Sequence, residues 1–170
     1  MKNLIDTDLK DFKLRFATPA DVSLILDFIR ELAEYEKMLP EVVATEDILR
    51  ESLFERQIAE VIIGEFQNKP VCFALFFHNF STFLGKPGIY LEDLFVKPEM
   101  RGQGIGKITL SFLAKLAIER KCSRLEWWCL DWNKPSIEFY KHLGATSMDD
   151  WTVYRVSDEA LIKLAGNCKI

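Results

Sequence analysis

Apolar positions along this chain switch repeatedly between two spacings, and the switches mark out its elements. A short alternating run at residues 13–16 predicts a first strand, preceded by a charged N-terminal extension over residues 1–12. Thr18-Pro19-Ala20-Asp21 reads as a helix start, with Thr18 as N-cap, Pro19 at the first helical position and an acid three residues after the cap. Val22, Ile25, Leu26, Ile29, Leu32 and Ala33 follow at helical spacing, which predicts an amphipathic helix to about Tyr35. Thr45-Glu46-Asp47 opens a second, shorter helix to about Phe54. Residues 59–66 and 71–79 are β-branched and aromatic runs joined by Gln67-Asn68-Lys69-Pro70, the pattern of an antiparallel hairpin. Residues 89–96 give the next strand and residues 105–120 a helix, with Ile108, Leu110, Phe112, Leu113, Leu116 and Ala117 apolar. A strand over 124–130, a helix from about 135 to 143 stopped by Gly144, and a closing strand over 152–156 come next. Ser157-Asp158-Glu159 caps a last helix to about Ala165. The order β-α-α-β-β-β-α-β-α-β predicts a mixed α/β sheet in a single domain.

Composition narrows the class. The chain has 170 residues, and 49% of them are apolar, including 13 Phe and 4 Trp, enough for a sizeable core. A net charge of −4 argues against a nucleic-acid partner, which normally calls for a basic face. Cys72, Cys122, Cys129 and Cys168 form no CxxC pair, and His78 and His142 are the only histidines, so no metal site is expected. Neither a leader-like opening nor an apolar run of about 20 residues is visible, so no membrane partner is expected and the reducing cytoplasm is the expected location.

The chemistry concentrates in Leu91-Glu92-Asp93-Leu94-Phe95-Val96 and the glycine-rich segment after it. Gly102, Gly104 and Gly106 alternate just ahead of a helix, where backbone N–H groups can line up around an anion. Familiar nucleotide loops do not fit. Three residues, not four, separate Gly102 from Gly106, and Ile108 follows Lys107 where a Walker A loop needs Ser or Thr. A Rossmann fingerprint needs glycine three residues after Gly104, where Lys107 stands.

Arg101-x-x-Gly104-x-Gly106, placed between a strand and a long helix, resembles the pyrophosphate-binding signature of the GNAT acetyltransferases. Asn133-Lys134-Pro135-Ser136-Ile137 and Phe139-Tyr140-Lys141-His142-Leu143-Gly144 resemble the helix that flanks coenzyme A in that family. Glu31-Leu32-Ala33-Glu34-Tyr35-Glu36, Tyr90-Leu91-Glu92-Asp93, Trp132-Asn133 and Trp151 bring the chain nearest to the diamine (spermidine/spermine-type) branch.

The resemblance implies a GNAT fold: a mixed, mostly antiparallel sheet with splayed central strands flanked by helices. It implies acetyl-CoA as co-substrate, a small primary amine as acceptor, and a homodimer. Coenzyme-binding residues implied are Leu94, Phe95, Val96, Arg101, Gly102, Gln103, Gly104, Ile105, Gly106, Lys107, Asn133, Lys134, Pro135 and Ser136. A bulge at Glu92-Asp93 would splay the strand and admit the pantetheine arm. Glu92 is the implied base, acting on the ammonium directly or through water, and Tyr140 the implied acid for the departing thiolate. Tyr35, Glu36, Glu92, Asp93, Glu126, Trp127, Trp128 and Trp151 are the implied acceptor residues, carboxylates and aromatic faces both suiting an alkylammonium. One departure stands out: Phe80-Ser81-Thr82-Phe83-Leu84-Gly85 has Ser81 or Thr82 where the polyamine enzymes carry an acid for the distal amine. That leaves a shorter diamine or a thialysine-like amine in view, beside an aminoglycoside, an amino acid, a protein terminus, or a non-catalytic acyl-CoA-binding role.

Overall fold

The computed structural model describes residues 4–168. The chain forms two compact units, Met1–Leu130 and Asp131–Ile170.

The first unit is a six-stranded sheet with helices on both faces, the expected mixed α/β class. Its strands β1 (Ile5–Asp6), β2 (Phe12–Phe16), β3 (Glu60–Phe66), β4 (Lys69–Ser81), β5 (Lys86–Val96) and β6 (Leu125–Glu126) lie in sequence order. All neighbours are antiparallel except β5 and β6, which run parallel. The β3–β4 hairpin turns on Gln67 (φ 49°) and Asn68 (φ 64°), the left-handed pair that matches strand twist. The turn is tighter than the expected four residues, because Lys69 and Pro70 already pair with Phe66 and Glu65.

Helix α1 (Val22–Tyr35) follows a 3-10 turn at Pro19–Asp21. The Thr18 N–H and hydroxyl both donate to Asp21 Oδ2 at 2.8 Å, so the capping pattern read from the sequence forms. The buried face of α1 packs Val22, Ile25, Leu26 and Phe28 against Val61, Ile63, Phe73 and Phe95. Phe28 stacks on Phe73 with ring centroids 5.2 Å apart. On the opposite face lies α3 (Ile105–Glu119), whose Thr109 hydroxyl meets the Cys72 thiol at 3.5 Å. Adjacent Cys72 and Phe73 thus serve opposite layers, as strand alternation requires. Short α2 (Glu46–Arg50) runs into a π-turn at Glu51–Glu55, covering the span expected for the second helix.

The second unit holds α4 (Lys134–His142) and α5 (Asp158–Ala165). Gly144, at φ 86°, ends the α4 segment with its N–H donating to Lys141 O at 2.9 Å.

Within the N-terminal extension Ile5 and Asp6 pair with Leu14 and Lys13 as an edge strand. Two expectations need correction. The strand expected over 124–130 pairs only at Leu125 and Glu126. Residues 152–156 form no strand at all. Thr-Val-Tyr-Arg-Val has strand-like side chains, but strand propensity reflects packing and pairing with a neighbour rather than an intrinsic backbone preference.

Candidate active site

The site grows from one irregularity in β5. Leu91 pairs with Phe76 and Asp93 with the adjacent Leu75, so Glu92 has no partner of its own on β4. This is a one-residue bulge. Phe76 and Leu75 alternate between the two faces of β4, so the bulge resets the parity of β5. Leu91 falls on the α3 face, whereas Asp93 and Phe95 fall on the α1 face. Without the extra residue Leu91 and Asp93 would share a face. The expected Glu92-Asp93 bulge is therefore present.

On the other edge of β5, parallel pairing with β6 stops at Tyr90 and Glu126. Beyond it β5 continues to Val96, past the end of β6 at Glu126. The two strands splay at this point, as the resemblance implies. The β6-facing backbone groups of residues 91–96 are left outside any ladder.

Three carboxylates gather where α1 ends against the bulge. Glu92 is exposed and Asp93 half-buried, with Glu36 the first residue past α1. Burial, then the charge of Glu92, then that of Glu36 push the Asp93 carboxyl up to about 7. Burial also raises Glu36 above the usual carboxylate range. Asp93 is thereby poised to hold or release a proton near neutrality. The sequence pattern names these residues but not which of them is poised.

After β5, a 3-10 turn at Pro98–Met100 leads into the glycine arc. Gly102 (φ 77°) and Gly104 (φ 84°) take left-handed backbone, and a Cβ on either would meet nothing within 4 Å. Glycine is demanded by backbone conformation, and open space lies in front of it. Gly104 caps α3, whose first internal bond joins Ile108 N–H to Gly104 O at 3.0 Å. The N–H groups of Ile105, Gly106 and Lys107 precede that ladder and carry the positive end of the helix dipole. Arg101 folds back over the strand end: its Nε donates to Val96 O at 3.0 Å and its Cζ lies 4.6 Å from the Tyr35 ring centroid.

Other expected acceptor residues are engaged locally. Glu126 accepts from Asn79 Nδ2 at 2.7 Å, and Arg124 Nε lies 2.7 Å from its other oxygen, so its charge is already met. Arg124 and Glu126, two apart on one strand face, carried a sequence signal for this pair. Exposed Trp128 meets Tyr90 edge-on at 5.7 Å, and Tyr90 meets Phe77 at 5.1 Å; Trp127 is half-buried. Two surface cavities of about 200 and 380 Å³ contain none of the expected site residues.

In the second unit, Asn133 is the N-cap of α4, its side chain accepting from Ser136 N–H at 3.4 Å. Lys134, Pro135 and Ser136 form the first turn, and Tyr140 lies within α4 with its ring 5.4 Å from that of Phe139. Trp151 follows a turn whose Met148 carbonyl accepts its N–H at 3.1 Å.

Residues 26–145 match the family model described as Acetyltransferase (GNAT) family. The chain belongs to the GNAT acetyltransferases. Among similar proteins, a thialysine N-epsilon-acetyltransferase of Bos taurus is 39% identical over 165 residues, covering 90% of this chain and 96% of that one. An L-ornithine N5-acetyltransferase of Arabidopsis thaliana is 29% identical, covering 88% and 86%. A solved integron cassette protein of V. cholerae superposes with a TM-score of 0.78 at 27% identity, covering 92% of this chain and 99% of that one. This GNAT chain is thus an N-acetyltransferase, and relatives named for thialysine and for spermidine/spermine fit the polyamine-type branch that the sequence resemblance implied. GNAT acetyltransferases use acetyl-CoA as co-substrate. Among the described residues no group of His, Cys, Asp and Glu could hold a metal ion, and no helix is long and apolar enough to cross a membrane.

Proposed function

We propose that this GNAT enzyme moves an acetyl group from acetyl-CoA to the terminal primary amine of a small ω-amino compound, a thialysine- or ornithine-like amino acid or a short diamine. The observation that carries this reading is the convergence of Glu36, Glu92 and Asp93 at the β5 bulge, a cluster suited to one alkylammonium. The names of the relatives point the same way, and so does the absence of an acid among residues 80–85.

An alkylammonium has a pKa of about 10, so a proton must leave before attack. Glu92, exposed to water in the bulge, takes it through a water molecule. The amine lone pair then forms the C–N bond at the thioester carbon. Backbone N–H groups of residues 94–96, beyond the splay, receive the pantetheine and the carbonyl oxygen as it gains charge. When the C–S bond breaks, the thiolate takes a proton from the Tyr140 phenol. The amides at the start of α3, with Arg101 and Lys107, hold the pyrophosphate, and Asn133, Lys134, Pro135 and Ser136 at the start of α4 flank the coenzyme. The family match runs across the junction between the two units, which supports reading the whole chain as one catalytic domain. A homodimer and a cytoplasmic location complete the reading.

Thiol release from acetyl-CoA, measured across a panel of amines, tests the acceptor. Thialysine, ornithine or a short diamine should react fastest. A preference for aminoglycosides or peptide N-termini would overturn the acceptor, and no release with any amine would leave only an acyl-CoA-binding role. Tyr140→Phe should lower kcat by about 10²-fold, the usual range for a general acid. Glu92→Gln should change the dependence of kcat/KM on pH. Normal turnover in the first variant, or an unchanged profile in the second, removes that residue from the chemistry.

A further inference from the structure

The sequence resemblance places Tyr35 with the acceptor, but its side chain is committed elsewhere. Its ring lies under the Arg101 guanidinium at 4.6 Å, while the Phe95 ring lies 5.7 Å from the same carbon. Arg101 Nε is held by Val96 O at 3.0 Å, and among the described residues its two Nη nitrogens have no hydrogen-bond partner. A long exposed side chain is thus fixed at three points with its forked donors unspent, beside the open arc at Gly102 and Gly104. The fork matches phosphate oxygens, and immobilising it before binding removes much of the ordering entropy that binding would otherwise cost.

We propose that Tyr35 is a positioning residue for the coenzyme: acting through Arg101, it presents the Nη donors to the pyrophosphate. This rests on the reading that the arc holds coenzyme A. Glu36, the next residue, borders Asp93, so a single turn at the end of α1 serves both substrates, Tyr35 facing the coenzyme's arginine and Glu36 the acid cluster. Tyr35 is accordingly separated from the acceptor role.

The test compares three acetyl donors: acetyl-CoA, its 3′-dephospho form, which keeps the pyrophosphate, and S-acetylpantetheine, which lacks it. Tyr35→Leu should raise KM for the first two by about 5-fold, the scale of a cation–π contact at an exposed site, with kcat little changed. It should leave S-acetylpantetheine and the KM for amine unaffected. Tyr35→Phe, which keeps the ring face, should hold the acetyl-CoA KM well below that of Tyr35→Leu, and Tyr35→Leu added to Arg101→Ala should cause no further loss. Tyr35→Gln replaces the leucine variant if thermal melts show that variant unfolded. Equal losses with all three donors, a rise confined to the amine KM, or full additivity with Arg101→Ala would overturn the proposal. If Arg101→Ala alone leaves the acetyl-CoA KM unchanged, the fault lies in the reading of the arc instead.

Discussion

Replacing Arg15 with methionine is expected to destabilise the protein by about 3–5 kcal/mol, the cost of removing one partner from a buried ion pair. Arg15 is 1% exposed on β2. Its Nη1 and Nη2 bond both oxygens of Asp21 at 2.8 Å, and its Nε bonds Glu65 at 2.7 Å. Both carboxylates are buried, so the variant removes Arg15 as counter-charge from two buried acids. In the wild type burial works to raise the Asp21 pKa, but the Arg15 and Thr18 hydrogen bonds and the Arg15 charge outweigh it and draw it down to about 2 from 3.8. That depressed value stabilises the wild type above pH 4, and the contribution fades as pH falls from about 4 to 2. In the variant the two acids gain by protonation. The gap between the two proteins should therefore be widest at neutral pH and narrow on acidification. Urea denaturation at pH 7 and pH 4 measures both values, and a gap under about 1 kcal/mol at pH 7 would refute the assignment. The triad also matters for function. Asp21 caps the turn that starts α1, and the helix, 14 residues and so about 21 Å long, carries Tyr35 and Glu36 at its far end.

Elements were legible wherever local chemistry decides them. Thr18, Pro19 and Asp21 announced α1, and Gln67-Asn68 announced the hairpin, because capping and left-handed turns depend on residues a few positions apart. Glycines 102 and 104 announced the arc because only backbone conformation demands them. Pairing was less legible. Val153 and Tyr154 read as a strand from their side chains, yet a ladder needs a partner that sequence pattern does not supply. The same limit shortened β6 to two residues. Within the site, Glu92 and Asp93 were visible as carboxylates in an apolar run, and only the register against Leu75 and Phe76 says which faces α1. The contacts of Tyr35 with Arg101, and of Glu126 with Asn79, join residues 47 or more positions apart and left no periodic trace. That separation explains why two residues expected to serve the acceptor turned out to have partners of their own.

Asp93→Asn is expected to stabilise the protein by up to about 4 kcal/mol above pH 7 and to make no difference near pH 4. The sign follows from the direction of the shift. Burial first, and then Glu92 and Glu36, raise the Asp93 pKa from 3.8 to about 7 in the folded state. A raised acid favours folding while it is protonated, so that contribution is complete below about pH 4 and is lost as pH climbs through 7. Asparagine keeps the uncharged shape at every pH, and the two proteins should diverge across that window. Parallel urea midpoints from pH 5 to pH 8.5 would show that Asp93 ionises normally and is not held in a repulsive cluster. The instability has a functional meaning under the proposed activity. Three carboxylates that repel one another are a poor arrangement for an empty protein and a good one for a cationic acceptor, since an ammonium lodged among them cancels the repulsion and favours the charged form. An accepted amine should therefore restore the wild type at pH 8 more than it affects Asp93→Asn, and a quaternary ammonium too bulky for the cluster should do so for neither. If both proteins gained equally from the amine, the cation would be binding elsewhere, and the cluster at the bulge would lose its claim to the acceptor.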